Sequence, residues 1–390
     1  MTARTRSRSQ TSIGSQKIAP SGANPSYTNT SYSETCNDVI HDYPRDHTLT
    51  LDKTIRDVQP FSGDTKTSPT DSTYGHSYSN YWPTYPRTTA VNHLAVSGVP
   101  SNNEVAIDTV NRSNPSNPVV DLPLSFYELK DLPMLVMQVH RNLRAFRGPN
   151  GNSQAAIRWT QEVAGNILAF EFGIKPLISD IQKLVRFQTE VAKRVSLLDK
   201  LYNKGGLRYK SRPSNHSSYS RTSVTADSSA GIVPCTVDTI TTVSKWGSTR
   251  WSPDPSAPRP ATQDDLLALA TKAAYAREIT LDSLWNAMPY SWMVDWFSNM
   301  GDYINSHRNT VPAVHSSACV MTHTKTTMTG KCNRASYSNL KGGDFTLTRE
   351  TKSRAVMPFL LPEAHIPFLN ERQVSILGSL AVTRIPRNLF

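Results

Sequence analysis

The sequence predicts an α+β fold in two lobes, a helical bundle and a mostly antiparallel β lobe, and three observations carry that reading. Helical periodicity gathers in two blocks, residues 123–204 and 261–306. Thr- and Val-rich alternation of the kind that suits strands recurs over 205–250, 314–330 and 344–356. The chain has 390 residues, more than the ~250–300 at which a single core stops growing. Only 37% of those residues are hydrophobic, so the core is expected to be small and much of the surface exposed or covered by partners.

From the N-terminus, residues 1–20 form a basic segment in which Arg4, Arg6 and Arg8 alternate. With nothing apolar nearby to bury, the segment is read as a flexible arm, an edge strand being the alternative. Residues 21–122 are rich in Tyr, Ser, Thr, Asn and Pro and are read as the N-terminal part of the β lobe, irregular strands joined by long loops. Their most aromatic stretch holds Tyr74, Tyr78, Tyr81, Trp82 and Tyr85. Such rings among small polar residues suit a protein-binding surface, or equally a loop pinned onto its own sheet.

Residues 123–204 are the first part of the helical lobe. Phe126, Leu129, Leu132, Val136, Val139, Leu143 and Phe146 recur at helical spacing, with Pro133 marking a start or kink. A second helix over 153–172 is punctuated by Gly173 and Pro176. The third places Leu177, Ile181, Leu184, Val191, Val195 and Leu198 on one face and Lys183, Arg186, Glu190, Lys193 and Arg194 on the other. Residues 205–260 are a β segment ending in a proline-rich link. Residues 261–306 are the second helical part, opened by a capping box over 262–265 and broken or kinked at Pro289. Residues 307–390 supply return strands and a C-terminal element, a short helix or strand over 375–384.

The formal net charge is +11, unevenly spread. Residues 136–260 carry 18 Lys and Arg against 8 Asp and Glu, and residues 307–356 carry 8 against 2, whereas residues 21–135 carry 7 against 13. A polyanion is therefore expected to meet the middle and late segments rather than the N-terminal region. Basic residues there interleave with aromatics around Tyr209, Tyr219, Trp246 and Trp251. Cations neutralise phosphates while rings stack on unpaired bases. The contacts expected on this ground are Lys183, Arg186, Lys193, Arg194, Arg208, Lys210, Arg212, Arg221, Lys245 and Arg250, with ordinary solvated faces as the competing reading.

No nucleophile elbow, zincin, P-loop or dinucleotide motif occurs, so no enzyme activity, cofactor or metal is expected. Cys36, Cys235, Cys319 and Cys332 have no CxxC spacing and no neighbouring His pair. They are read as buried or free thiols, with a Cys319–Cys332 bridge across a hairpin as the alternative. Nothing resembles a secretory signal, and no run of ~18 apolar residues suggests a membrane span. Asp180 and Asp295 each sit among apolar residues, where a charge needs a partner. Each is expected to cap a helix end or accept from an Arg or Trp N–H.

Three segments belong together: Phe172-Gly173-Ile174-Lys175-Pro176-Leu177-Ile178-Ser179-Asp180-Ile181, then Pro289-Tyr290-Ser291-Trp292-Met293-Val294-Asp295-Trp296, then the stretch over 375–387. The combination resembles the maturation (A) proteins of single-stranded RNA bacteriophages. That resemblance implies an elongated α+β protein, with Phe172, Gly173, Pro176, Leu177, Asp180, Asp295 and Trp296 in a helical lobe beside a curved β lobe. It implies a virion protein made in the bacterial host cytoplasm, one copy of which replaces a coat-protein dimer. Such a protein binds genomic single-stranded RNA stem-loops, attaches to a host receptor such as a pilus, and enters with the RNA. Tyr74, Tyr78, Tyr81, Trp82 and Tyr85 are the residues expected to meet the receptor. Some relatives also lyse the host by blocking cell-wall synthesis, and that role stays open beside a free-standing RNA-binding protein.

Overall fold

A computed structural model describes residues 2–19, 21–40, 47–65, 75–118, 120–121, 187–227, 233–276, 285, 288, 291–337, 339–364 and 371–383. The chain divides into two compact units, one of Met1–Thr109, Lys210–Thr249 and Ser317–Phe359, the other of Val110–Tyr209, Arg250–Ser316 and Leu360–Phe390. The described elements are mixed α+β with more strand than helix.

The first unit is built on a curved antiparallel sheet. Its strands, numbered in chain order, are β1 (Thr2–Ala19), β2 (Ser26–Ile40), β3 (Leu49–Val58), β4 (Phe61–Asp64) and β5 (Gly75–Tyr81). Further along the chain it holds β8 (Ser214–Thr225), β9 (Pro234–Pro253), β12 (Ala318–Cys332) and β13 (Phe345–Met357). They lie in the order β9-β12-β13-β3-β2-β1-β5-β4, with β8 pairing β9.

The basic segment expected as a flexible arm is instead β1. It is paired with β2 from Thr2 to Ser15 and with β5 from Ser15 to Ala19, so up to Gly14 it has a strand partner on one side only, as in the edge-strand alternative. Arg4 donates to both oxygens of Asp38, the Nε bond at 2.9 Å, and Arg6 reaches the same carboxylate at 3.4 Å. Nothing local in 1–20 announces an acidic partner supplied by the next strand.

Successive residues of β9 alternate strictly, with Cys235, Val237, Thr239, Thr241, Val243, Lys245, Gly247 and Thr249 buried and the residues between them more open. The more open side carries a charge row running across five strands: Lys325 opposite Glu350, Glu350 opposite Lys53, Lys53 opposite Glu34, and Glu34 opposite Arg8. Cross-strand pairs of opposite sign each contribute roughly 0.2–1 kcal/mol. More usefully, they fix the register of strands whose Ser/Thr composition would tolerate a slip. At one end of the buried side lies a core of Val58, Phe61, Tyr78, Tyr81, Trp82, Val91, Val237, Leu340, Phe345 and Leu347 with smaller neighbours.

The rest of the buried side is polar and is crossed by an extended strap over 89–100, which follows helix α1 (Thr84–Thr88). The Thr89 carbonyl accepts from Arg56 on β3, and the Val91 carbonyl from Arg349 on β13, which also clasps Asp52. His93 lies 2.8 Å from Thr326 Oγ1 and 3.1 Å from Thr351 Oγ1, the Leu94 N–H donates to Thr241 Oγ1, and Lys245 Nζ donates to the Pro100 carbonyl. Burial, helped by Arg349 and opposed by Asp52, holds the His93 pKa below the ordinary imidazole value. The unfolded chain therefore binds this proton more readily than the folded one. The stability from neutral His93 is complete above about pH 6.5 and declines as pH falls below it. Unfolding midpoints measured from pH 7.5 to 5 should drop, and should drop less in His93→Gln.

Gly63 shows where the backbone leaves no alternative. Its φ is +95°, and an added Cβ would overlap the Asn339 carbonyl oxygen. Gly63→Ala is expected to cost about 1–3 kcal/mol, read as a lower denaturant midpoint.

Helix α2 (Asn102–Ser113) lies in a region expected to be strands and loops. Its start is a capping box: the Glu104 N–H donates to Ser101 Oγ at 3.0 Å and the Ser101 N–H to Glu104 Oε2 at 3.4 Å. That box, followed by Val105, Ile107 and Val110, is a local signal present in the sequence.

The second unit holds the described helices α3 (Phe187–Asn203), α4 (Gln263–Ala274), α5 (Ser291–Val294), α6 (Met300–Ser306) and α7 (Glu371–Thr383). It also holds a parallel pairing of β6 (Val120–Asp121) with β10 (Tyr275–Ala276). In it β11 (Ala313–His315) pairs with Trp251–Pro253 at the end of β9. The capping box expected at 262–265 forms, with the Asp265 N–H on Thr262 Oγ1 at 3.1 Å and the Thr262 N–H on Asp265 Oδ2 at 3.0 Å. Asp295 fulfils both roles open to it, accepting from the Gly301 N–H at 2.9 Å and from Trp285 Nε1 at 3.3 Å. The C-terminal element is a helix. Most of the expected bundle, including Asp180, lies outside the described residues. No described helix is long and apolar enough to cross a membrane, which says nothing of strands.

Candidate nucleic-acid interface

In the second unit a cavity of about 380 Å³ opens between the end of α2, the outer face of α3 and the strand β7 (Leu207–Lys210). It is lined by Arg112, Ser113, Asn114 and Asn117, by Glu190, Lys193, Arg194 and Leu197, and by Leu207, Arg208 and Tyr209. The amphipathic turn of α3 decides which residues face it: Val191, Leu198 and Leu201 are buried, leaving the polar stripe on the cavity side. The Asn114 amide braces the wall, donating to the carbonyls of Asn305, Ser306 and Arg308 at 2.9–3.2 Å and accepting from the Ser116 N–H.

Arg194 is deeply set. It donates Nη1 to the Pro115 carbonyl at 2.8 Å and Nη2 to the Asn117 carbonyl. Burial pulls its pKa down, partly offset by Glu190. Its hydrogen bonds hold the 115–117 turn, so its role is to position the wall and lend positive potential rather than to reach outward. Lys193 is exposed and paired with Glu190 at 2.6 Å. The cavity thus combines three arginines and a lysine with one carboxylate, an aromatic ring at Tyr209 and aliphatic sides at Leu197 and Leu207. Its size lies within the range of small-ligand sites, and its chemistry suits a phosphate with a base laid against the ring.

The first unit carries a second basic surface on the more open side of its sheet. Lys210 Nζ sits 4.9 Å from the Trp246 ring centroid, a cation–π geometry, and Arg212 is exposed. Trp246 stands opposite Met321, and Met321 opposite Arg354. The next row runs Ser244, His323, Lys352. Burial and then the Lys352 charge push the His323 pKa down, against Glu350, as expected on a face of net positive potential.

Several expected contacts are placed differently. Lys245 is 8% exposed and faces the polar interior, its ammonium on the Pro100 carbonyl. It shares the parity of Val237 and Val243, which the period of two already dictates. Arg221 is exposed, but its guanidinium is bidentate on Asp238, which also accepts from Tyr219. Those bonds bring the Asp238 pKa down to about 2. Arg250 Nη2 donates to the Gly205 carbonyl at 3.0 Å. Lys183 and Arg186 lie outside the described residues.

The aromatic cluster expected to meet a receptor is mostly core. Tyr81 is 1% exposed, and Tyr78 and Trp82 are buried with it. Tyr85 is half-buried, packing against that core with its ring 5.8 Å from that of Phe345. Tyr74 lies outside the described residues. The reason is physical: residues three apart on a regular strand point to opposite faces, but Asn80 takes a φ of 49° and the β4–β5 register shifts beside it, so Tyr78 and Tyr81 both reach the core that holds Phe61 and Phe345. Arg112 and Asn117 escape a reading of the sequence because their relation to α3 is tertiary. The same holds for Lys352, whose place on the sheet surface follows from a strand pairing that no local pattern reveals.

Among the described residues no group of three His, Cys, Asp or Glu side chains could hold a metal ion. Compared with known proteins, the chain matches a family model described as phage maturation protein over residues 129–334, slightly more than half its length. That span includes Lys193, Arg208, Tyr209, β8, β9 and β12. No curated protein matches it.

Proposed function

Since the chain belongs to the phage maturation protein family, and is therefore a component of a phage virion, we propose that it binds structured genomic RNA, replaces a coat-protein dimer in the capsid and attaches the particle to a protein receptor such as a pilus. The observation that carries RNA binding is the cavity of the second unit, where Arg112, Lys193 and Arg208 surround Tyr209 and Leu197. Cations with one accessible ring fit a looped-out nucleotide, because RNA sequence is exposed in loops and bulges rather than in the deep groove of its helices. The Lys210, Trp246, Arg354 and Lys352 surface of the first unit suits the backbone of a stem. The role is structural, with no catalytic step.

Receptor attachment falls to a different row of the same sheet. Tyr219, Ile240, Thr327, Thr348, Ile55 and Tyr32 stand opposite one another across β8, β9, β12, β13, β3 and β2. Tyr219 and Ile240 are about half exposed, and the row carries no charge, as suits a protein contact.

The test is crosslinking with sequencing of both RNA and peptide, on protein expressed with its own genome and coat protein. Discrete stem-loops joined to peptides holding Lys193, Arg208 or Lys352 are expected. Diffuse crosslinks that vanish with moderate salt would mean the positive charge is generic, and the RNA reading would fail.

A further inference from the structure

Cys332 closes β12 and stands directly opposite Cys235 near the start of β9 in the antiparallel register. Directly opposed residues in such a pair lie about 4.5 or 5.5 Å apart at Cα, inside the ~4.4–6.8 Å that a disulfide spans. Both side chains leave the sheet on the same side: Cys235 belongs to the buried core and Cys332 packs against it. Cys319, in contrast, is the second residue of the same 15-residue strand that Cys332 ends, so the alternative bridge between those two is excluded by their separation along one strand. Cys319 faces Ser248 and Val356, and Cys36 faces Arg6 and Leu51. Neither has a cysteine opposite.

We propose that Cys235 and Cys332 form a redox-active dithiol that closes to a disulfide by exchange with a low-molecular-weight disulfide, tying β9 to β12 when the protein leaves a reducing compartment. The surroundings assign the order of attack. Cys332 is only half-buried and Cys235 almost completely buried, so the external disulfide meets Cys332 first. Cys332 Sγ donates to the Gly343 carbonyl at 3.2 Å, and the neighbouring thiols shift one another, the Cys332 pKa down and the Cys235 pKa up, so the thiolate forms more readily at the accessible position. The Cys332 thiolate attacks one sulfur of the external disulfide and expels a thiolate, which takes up a proton. Cys235 then loses its proton and attacks the mixed disulfide at Cys332, releasing the second small thiol. Two protein thiols and one external disulfide become one protein disulfide and two small thiols. The neighbouring structure is already fixed for closure: the Cys332 N–H donates to Asp344 Oδ1 at 2.9 Å, and Arg334 holds the same carboxylate at 3.0 Å.

The experiment uses the full chain treated with oxidised glutathione, then thiol counting after denaturation and peptide mapping. The wild type is expected to lose two of its four thiols and to yield one linked pair of peptides, Cys235 with Cys332. Closure should raise the thermal midpoint by roughly 5–10 °C, reversibly on reduction. Cys235→Ser should trap glutathione on Cys332, whereas Cys332→Ser should leave Cys235 unmodified. Retention of all four thiols by the folded wild type, a lasting glutathione adduct on its Cys332, or a link through Cys36 or Cys319 would each overturn the proposal.

Discussion

Tyr81→Ala is expected to lower the stability of the first unit by about 3–5 kcal/mol, and to abolish host adsorption only because the unit unfolds. The ring is 1% exposed, 5.0 Å from Tyr78 and 5.4 Å from Tyr27, with the Arg87 guanidinium lying over it at 5.8 Å. Removing it opens a cavity between β5 and the Phe61–Phe345 core, and rigid strands on either side restrict collapse. The hydroxyl is a lesser contributor, its contact being Thr84 Oγ1 at 3.3 Å, so Tyr81→Phe should cost less than about 1.5 kcal/mol and keep adsorption. Denaturant unfolding and adsorption measured on the same preparations separate the cases. A Tyr81→Ala protein with wild-type stability but no adsorption would make the ring a receptor contact and refute its place in the core.

Charge reversal in the cavity is expected to have the largest effect on RNA affinity. Lys193→Glu with Arg208→Glu places two carboxylates beside Glu190 where the wild type presents cations. Each lost phosphate contact should reduce the slope of log affinity against log salt by about 0.7–0.9. The double variant should therefore bind its stem-loops at least about tenfold more weakly in low salt, the gap narrowing as salt rises. Tyr209→Ala should weaken binding by about 1–3 kcal/mol with an unchanged salt slope, because stacking is not ionic. Lys245→Met is the informative control. Its ammonium is buried on the Pro100 carbonyl, so the variant should lose stability and leave the salt slope alone. Equal slopes for wild type and the double variant would remove the cavity from the RNA interface.

Features with local causes are legible in the unfolded chain. The box at Thr262 and Asp265 caps α4, because both partners lie within one turn. The apolar stripe Val191, Leu198 and Leu201 turns the cationic stripe of α3 outward, because a helix repeats every 3.6 residues. The alternation of β9 already groups Lys245 with Val237 and Val243, although its basic charge suggests a surface role. Asp295 needs donors on composition alone, and Gly301 and Trp285 supply them. The association of the central motifs likewise points to the family.

Which strands meet is a property of the folded chain alone. Arg4 is part of a paired strand because Asp38 faces it, the tyrosines of β5 are core because β4 and β13 bring Phe61 and Phe345 to their side, and Cys332 meets Cys235 rather than Cys319. Arg112 and Asn117 join Lys193 from 81 and 76 residues away in the sequence. Strand register is set by pairing energies summed over distant segments, each worth less than about 1 kcal/mol. No window of the sequence contains both members of such a pair, so neither the order of the strands nor the cavity could be read before the chain had folded.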